Sequence, residues 1–218
     1  HGRFYNGWWQ SLPSIYRQHI TIDGYKTSEV DYSSMSLRIV YALQCIERDV
    51  ADDLYDIGLD NWLGGDDPRR KLIKIFVNAL MNDETGNYSL TKAELRTLGL
   101  THEELLALVL KTHAPIADQL TAGIGMKATY LDSQIAELVM RTMQEDGIVA
   151  LPIHDSFRVR AGYQQWLTTV MEAAFKAVTG AVVATDADGP RLSKHFGMSK
   201  GRFKEVEKEH NQDESSGI

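Results

Sequence analysis

The sequence predicts an α+β fold, an antiparallel sheet backed by helices. Two stretches, 19–32 and 148–163, carry β-formers around turn residues, whereas the segments between and after them repeat their apolar residues at helical spacing. The predicted order is strand pair, helix, helical insert, helix, strand pair, helix, and strands so grouped favour antiparallel pairing with helices packed behind.

Each element follows from its residues. In 19–32 (HITIDGYKTSEVDY) the β-formers flank Asp23-Gly24, a dipeptide suited to a tight hairpin turn. Over 34–50 the apolar residues Met35, Leu37, Ile39, Val40, Leu43 and Ile46 share one face, which predicts a helix holding Cys45 as a buried structural thiol. A polar break from Gly64 to Pro68 ends in a proline suited to a helix start. The next predicted helix, 69–82, presents Leu72, Ile73, Phe76, Val77 and Leu80. Residues 83–90 read as a polar loop. Thr91…Glu94 and Thr101…Glu104 read as capping boxes opening two short helices. A longer helix is expected over 128–145, with Asp132 as a cap or first-turn acid, and it stops at Asp146-Gly147. The second β-rich stretch (IVALPIHDSFRVRAGY) follows, then a last helix over 164–179.

Composition narrows the function classes. The chain has 218 residues and 43% hydrophobic content, enough for one sizeable core. No apolar run is long enough to span a bilayer, and no signal peptide is seen, so a cytoplasmic, membrane-free setting is expected. The lone Cys45 excludes an internal disulfide and suits a reducing compartment. A net charge of −7 argues weakly against a nucleic-acid partner, but its distribution softens that. Residues 191–204 carry five basic residues, two aromatics and no acid, whereas 205–214 are strongly acidic. The seven histidines show no zinc-like spacing with Cys45.

Two acids occupy strand ends. Asp31 stands at the junction between the first strand pair and the following helix, and Asp155 at the tip of the second hairpin. Carboxylates brought together from separate strands suit Mg²⁺ or Mn²⁺, which prefer oxygen ligands. Two such ions about 4 Å apart drive in-line phosphoryl transfer. Strand-end aspartates are also common turn formers and helix caps, so spacing alone leaves both readings open. Arg69, Arg70, Lys71 and Lys74 crowd cations into the start of a helix, where they oppose its macrodipole. Arg70 and Lys74 share a face at i and i+4. Converging cations of this kind suit a triphosphate, and a solvated basic face is the alternative.

Taken together these residues resemble family A DNA polymerases. Gly2-Arg3, then Trp9-Gln10-Ser11-Leu12-Pro13-Ser14, precede Asp31-Tyr32-Ser33-Ser34-Met35-Ser36-Leu37-Arg38, which is similar to motif A. Asp53-Leu54-Tyr55-Asp56-Ile57 resembles the acidic run that follows motif A, and Arg70-x-x-x-Lys74 the start of motif B. His154-Asp155 resembles motif C, and His154-Asp155-Ser156-Phe157 looks more like the single-subunit phage and mitochondrial RNA polymerases. The likeness covers scattered blocks of residues 2–160 and is of the compact phage or mobile-element type, which implies a bacterial or phage-infected cell. It implies a polymerase palm with a reduced helical fingers insertion and no evident thumb. Residues 1–60 would form the first part of the palm with motif A, and 61–127 a fingers-like segment with motif B. Residues 128–190 would form the second part of the palm with motif C, and 191–218 a basic then acidic tail. Asp31 and Asp155 would hold two Mg²⁺ or Mn²⁺ ions, with the Tyr32 carbonyl as a further ligand. Arg70 and Lys74 would hold the incoming triphosphate, and Lys74 would protonate the leaving pyrophosphate. Tyr32 and Ser36 would border the nucleotide, and Arg3, Gln10 and His154 the nucleic acid.

The departures shape the expected function. Asn82 and Asp83 stand where motif B has Tyr and Gly, which removes a base-stacking ring. Ser36 replaces the motif A Glu that screens the sugar 2′ position, which opens the site to ribonucleotides. The expectation is template-dependent transfer of nucleotides from NTP or dNTP to a 3′-hydroxyl of a primer–template or single strand. A processivity partner or a missing N-terminal region would supply grip. The alternatives are a template-independent nucleotidyltransferase, a primase-like RNA polymerase, a non-catalytic nucleic-acid-binding replication module, and, remotely, a two-metal nuclease.

Overall fold

The computed structural model describes Phe4 and residues 6–83 and 88–187. Arg3 and the charged tail expected over 191–218 lie outside the described residues. In chain order the elements are α1 (Ser14–Arg17), β1 (Thr21–Ile22), β2 (Tyr25–Tyr32), α2 (Met35–Leu43), α3 (Arg70–Asn82), α4 (Lys92–Leu98), α5 (His102–Thr112), α6 (Ala117–Leu120), α7 (Gly125–Glu145), β3 (Leu151–Ile153), β4 (Ser156–Arg160), α8 (Gln164–Thr179) and β5 (Thr185–Ala187), with 3₁₀ turns at Trp8–Gln10, Gly64–Asp66 and Ala114–Ile116.

The strands form one antiparallel sheet in the order β1-β2-β4-β3, with β5 also paired to β2. The first hairpin turns on Asp23 and Gly24, both at positive φ, 53° and 78°, the two-residue geometry whose twist matches that of the strands. The second turns on His154 and Asp155, since Ile153 pairs with Ser156. Alternation then sorts the side chains. Val30, Tyr32, Phe157 and Val159 are each at most 2% exposed. They face the helices: Tyr32 donates its hydroxyl to the Met171 carbonyl of α8 at 2.6 Å, and its ring lies 5.9 Å from Phe175. Burying each such side chain stabilises by about 1.5–3 kcal/mol. Glu29, Asp31, Ser156 and Arg158 take the opposite, polar face. The architecture is thus mixed α+β, an antiparallel sheet with helices packed on it. Among the described residues no helix is long and apolar enough to cross a membrane.

Several boundaries depart from the sequence prediction. The helix expected over 34–50 stops at Leu43, because Cys45 adopts φ 56° and ends it. Cys45 N–H bonds Ala42 O at 2.9 Å and Ile46 N–H bonds Tyr41 O at 3.1 Å, the bond pair of a Schellman cap, normally made with glycine. Cys45 is exposed, not buried. The loop beyond it is drawn back by Arg38, buried in α2, which donates to the carbonyls of Ser33, Asp49, Val50 and Asp52. The long helix α7 begins at Gly125, a turn earlier than expected, so Asp132 is a buried mid-helix residue rather than a cap. Both capping boxes form, with Thr91 and Thr101 each closing on the glutamate three residues on. His113 is 1% exposed, and its Nδ1 lies 2.8 Å from the Tyr41 hydroxyl.

Candidate active site

The site is built where β2 meets the β3–β4 hairpin. Ladder pairing sets Asp31 opposite Ser156, and the Tyr32 amide donates to the Asp155 carbonyl at 3.1 Å, so the two aspartates occupy adjacent strand ends. On its other side Asp31 is paired with Asp186 of β5. From across the cleft α3 delivers Lys74, whose Nζ lies 3.8 Å from Asp155 Oδ2. Lys74 reaches the carboxylates because Ile73, Phe76, Val77, Leu80 and Met81 bury the other face of α3.

The electrostatics follow from this crowding. Asp31 is exposed as a residue, yet desolvation of its carboxyl first, and the charge of Asp155 second, push that group from 3.8 up to about 7. Glu29 and Asp186 push the same way, and Lys74 opposes them. Glu29 behaves differently. Burial raises it, but hydrogen bonds from Ser156 and Arg158 and the charges of Arg158 and Arg17 prevail and hold it below the usual carboxylate value. Tyr55, 1% exposed, is held protonated by burial; Arg70 opposes that shift, and the charges of Asp155, Asp53 and Asp31 add to it.

Two backbone positions at the site are strained. Ser34, three residues past Asp31, has φ 54°, and His154, immediately before Asp155, has φ 53°. A non-glycine residue at positive φ costs of order 1–3 kcal/mol, and such strain gathers at functional sites.

The remaining expected residues are distributed as follows. Arg70 is turned toward Asp53, with Nε 3.0 Å from both carboxylate oxygens, and its guanidinium lies 4.9 Å from the centre of the Tyr55 ring. Arg69 has a local reason for its place, bonding Asp67 at 2.7 Å and the carbonyls of Asp60 and Asn61 beside Trp62. Tyr32 borders the site through its main chain alone, its ring being buried among the helices. Ser36 is half-buried in the first turn of α2. Gln10 and His154 line one small hollow with Phe4, Asp132, Ser133, Ala136 and Pro152. The Gln10 amide group is engaged within the protein, donating to the carbonyls of Phe4 and Pro152 and accepting from the Gly7 amide.

Sequence reading missed Asp186, Glu29 and the partnership of Asp53 with Arg70. β5 spans three residues, too short to show a period of two. Glu29 was legible only as a residue two places from Asp31 on the same strand face.

Among the described residues no three or more His, Cys, Asp or Glu side chains form a group arranged to hold a metal ion. The pair Asp31 and Asp155 nonetheless offers the donors that Mg²⁺ takes in nucleotide enzymes, one or two carboxylates completed by water and substrate phosphates. The fit is electrostatic as well. Four acids, Asp31, Asp155, Asp186 and Glu29, gather at one strand end, and a cation relieves the repulsion that adds to desolvation in raising Asp31.

No family model matches the sequence, and no curated protein matches it. Among solved structures the chain is similar to the POL domain of Pol1 from M. smegmatis, in complex with DNA primer-template and dNTP. The identity is 12% and the TM-score 0.46, over 77% of this chain and 40% of that one. The chain therefore spans less than half the length of that neighbour.

Proposed function

We propose that the protein is a nucleic-acid polymerase of palm type, transferring nucleotides from triphosphates to a 3′-hydroxyl under the direction of a template. The observation that carries this reading is the meeting of Asp31 and Asp155 on adjacent strand ends with Lys74 3.8 Å from Asp155. Two Mg²⁺ or Mn²⁺ ions held by these carboxylates would lower the pKa of the attacking hydroxyl and neutralise the charge of the leaving pyrophosphate. The chain supplies the rest. Asp31 and Asp155 orient the reacting groups from two strands fixed by the ladder. Lys74 stands beside Asp155, where its ammonium can bind the triphosphate and give a proton to the departing pyrophosphate oxygen. Arg70, one turn before Lys74, is within a side-chain swing of the same phosphates once Asp53 releases it. Tyr55 stays neutral and packs its ring against the Arg70 guanidinium, 4.9 Å away. Ser36 leaves room beside the sugar, so ribonucleotides are accepted alongside deoxyribonucleotides.

The test offers one nucleotide at a time, as dNTP or rNTP, opposite each of four template bases on a labelled primer with Mg²⁺ or Mn²⁺. Incorporation that follows the template base, with ribonucleotides accepted, is the expected result. Addition independent of the template would instead make the protein a terminal transferase. Extension confined to dNTPs would remove the role given to Ser36.

A further inference from the structure

We infer that Glu29 and Ser156, with Arg158, hold the two aspartate-bearing strand ends in metal-binding geometry, making Glu29 and Ser156 positioning residues for the site. The inference rests on the reading of Asp31 and Asp155 as metal ligands. Ser156 follows Asp155 directly and is the cross-strand partner of Asp31. Its Oγ lies 2.6 Å from Glu29 Oε1, and Glu29 stands two residues before Asp31 on the same strand face. The link therefore joins β2 to the first residue after the hairpin tip, beside both aspartates. Glu29 Oε2 accepts from Arg158 Nη2 at 2.7 Å and faces Arg17 Nε at 3.6 Å, and Arg158 Nη1 in turn donates to Thr27 Oγ1 at 3.0 Å. With both oxygens engaged inside the sheet, Glu29 acts as a support and not as a ligand.

Fold stability does not account for this arrangement. Taking an ion pair out of water is on balance no more stabilising than apolar packing, and the side chains of Glu29 and Arg158 are 12% and 4% exposed. Glu29 also places a negative charge close to Asp31. What the brace does supply is register at a tip that needs it. His154 is held at positive φ in a turn closed by only three residues of β3. Any shift of this two-residue tip moves Asp155 relative to Asp31. Outer groups that orient metal ligands typically change metal affinity by about 10- to 100-fold when removed.

The test measures Mn²⁺ binding to the full chain by electron paramagnetic resonance, without nucleotide, alongside thermal melting in metal-free buffer. Wild type is compared with S156A, E29Q and the double variant, and with D31A and D155A. S156A deletes one hydroxyl and keeps the measurement interpretable if E29Q, which removes the charged partner of Arg158, fails to fold. The expected result is Mn²⁺ binding by wild type, abolished in D31A and D155A and weakened about 10-fold in S156A. E29Q is expected to weaken binding at least as much, and the double variant to be no worse than the weaker single, at temperatures where each is folded. Wild-type affinity in S156A, with binding lost in D31A and D155A, would overturn the positioning role and leave the metal site standing. No Mn²⁺ binding by wild type would overturn both.

Discussion

Asp31 is the residue on which the site's electrostatics turn. Desolvation and the charge of Asp155 push its carboxyl from 3.8 up to about 7 in the folded protein. Between those values the folded state keeps a proton that the unfolded state has released, so the contribution of Asp31 to stability falls as pH rises through that window. Asp31→Asn removes the effect. In metal-free buffer at pH 8 it is expected to stabilise the protein by about 1 kcal/mol, a figure reduced for the solvent-exposed edge, which is a gain of roughly 2–4 °C in Tm. At pH 4 the variant and wild type should melt together, and Mg²⁺ should stabilise wild type alone. A variant less stable than wild type at pH 8 would show that Asp31 is a structural cap instead. At this scale the sequence was informative where chemistry and position coincide. Asp31 and Asp155 stood at strand ends, and Lys74 stood where a helix start gains nothing locally from a cation. The partnerships of Glu29, Asp53 and Asp186 were not legible, because the partners lie 127, 17 and 155 positions away in the chain.

The elements are set by local signals and joined by a few close approaches. The capping boxes at Thr91 and Thr101 formed as read, since a cap is written within four residues. The end of α2 was not legible, since a cysteine in the left-handed conformation is held there by cap bonds and carries no glycine signal. The early start of α7 was not legible either, and it falls at a close approach of two helices. Gly125 lies so close to α3 that an added Cβ would collide with the Asn82 side chain and come within 2.9 Å of the Met81 carbonyl oxygen. Gly125→Ala is therefore expected to push α3 and α7 apart and cost about 2 kcal/mol. A calorimetric scan should show Tm lowered by roughly 4–8 °C. An unchanged Tm would mean that the two helices are not in firm contact there. Because α3 carries Lys74, the same variant should also lower nucleotide incorporation.

Across the whole molecule, one alternation organises both fold and site. Even-numbered residues of β2, Val30 and Tyr32, face the helices, and odd-numbered ones, Glu29 and Asp31, face the polar side, so the core and the carboxylates are specified by the same strand. The α+β class was readable from β-formers grouped around turn residues and from helical spacing in the segments between. The pairing of β5 onto β2 was not readable, since three residues give no period and the pairing is long-range. The account's central claim is that Asp31 and Asp155 together perform metal-dependent nucleotide transfer. The most direct measurement is extension of a labelled primer on a template with Mg²⁺ and nucleoside triphosphates by wild type, Asp31→Ala and Asp155→Ala, each first shown to be folded by circular dichroism. The account predicts template-directed extension by wild type and a loss of at least 1,000-fold, about 4 kcal/mol in the barrier, in each variant. Extension by either folded variant at the wild-type rate would contradict it.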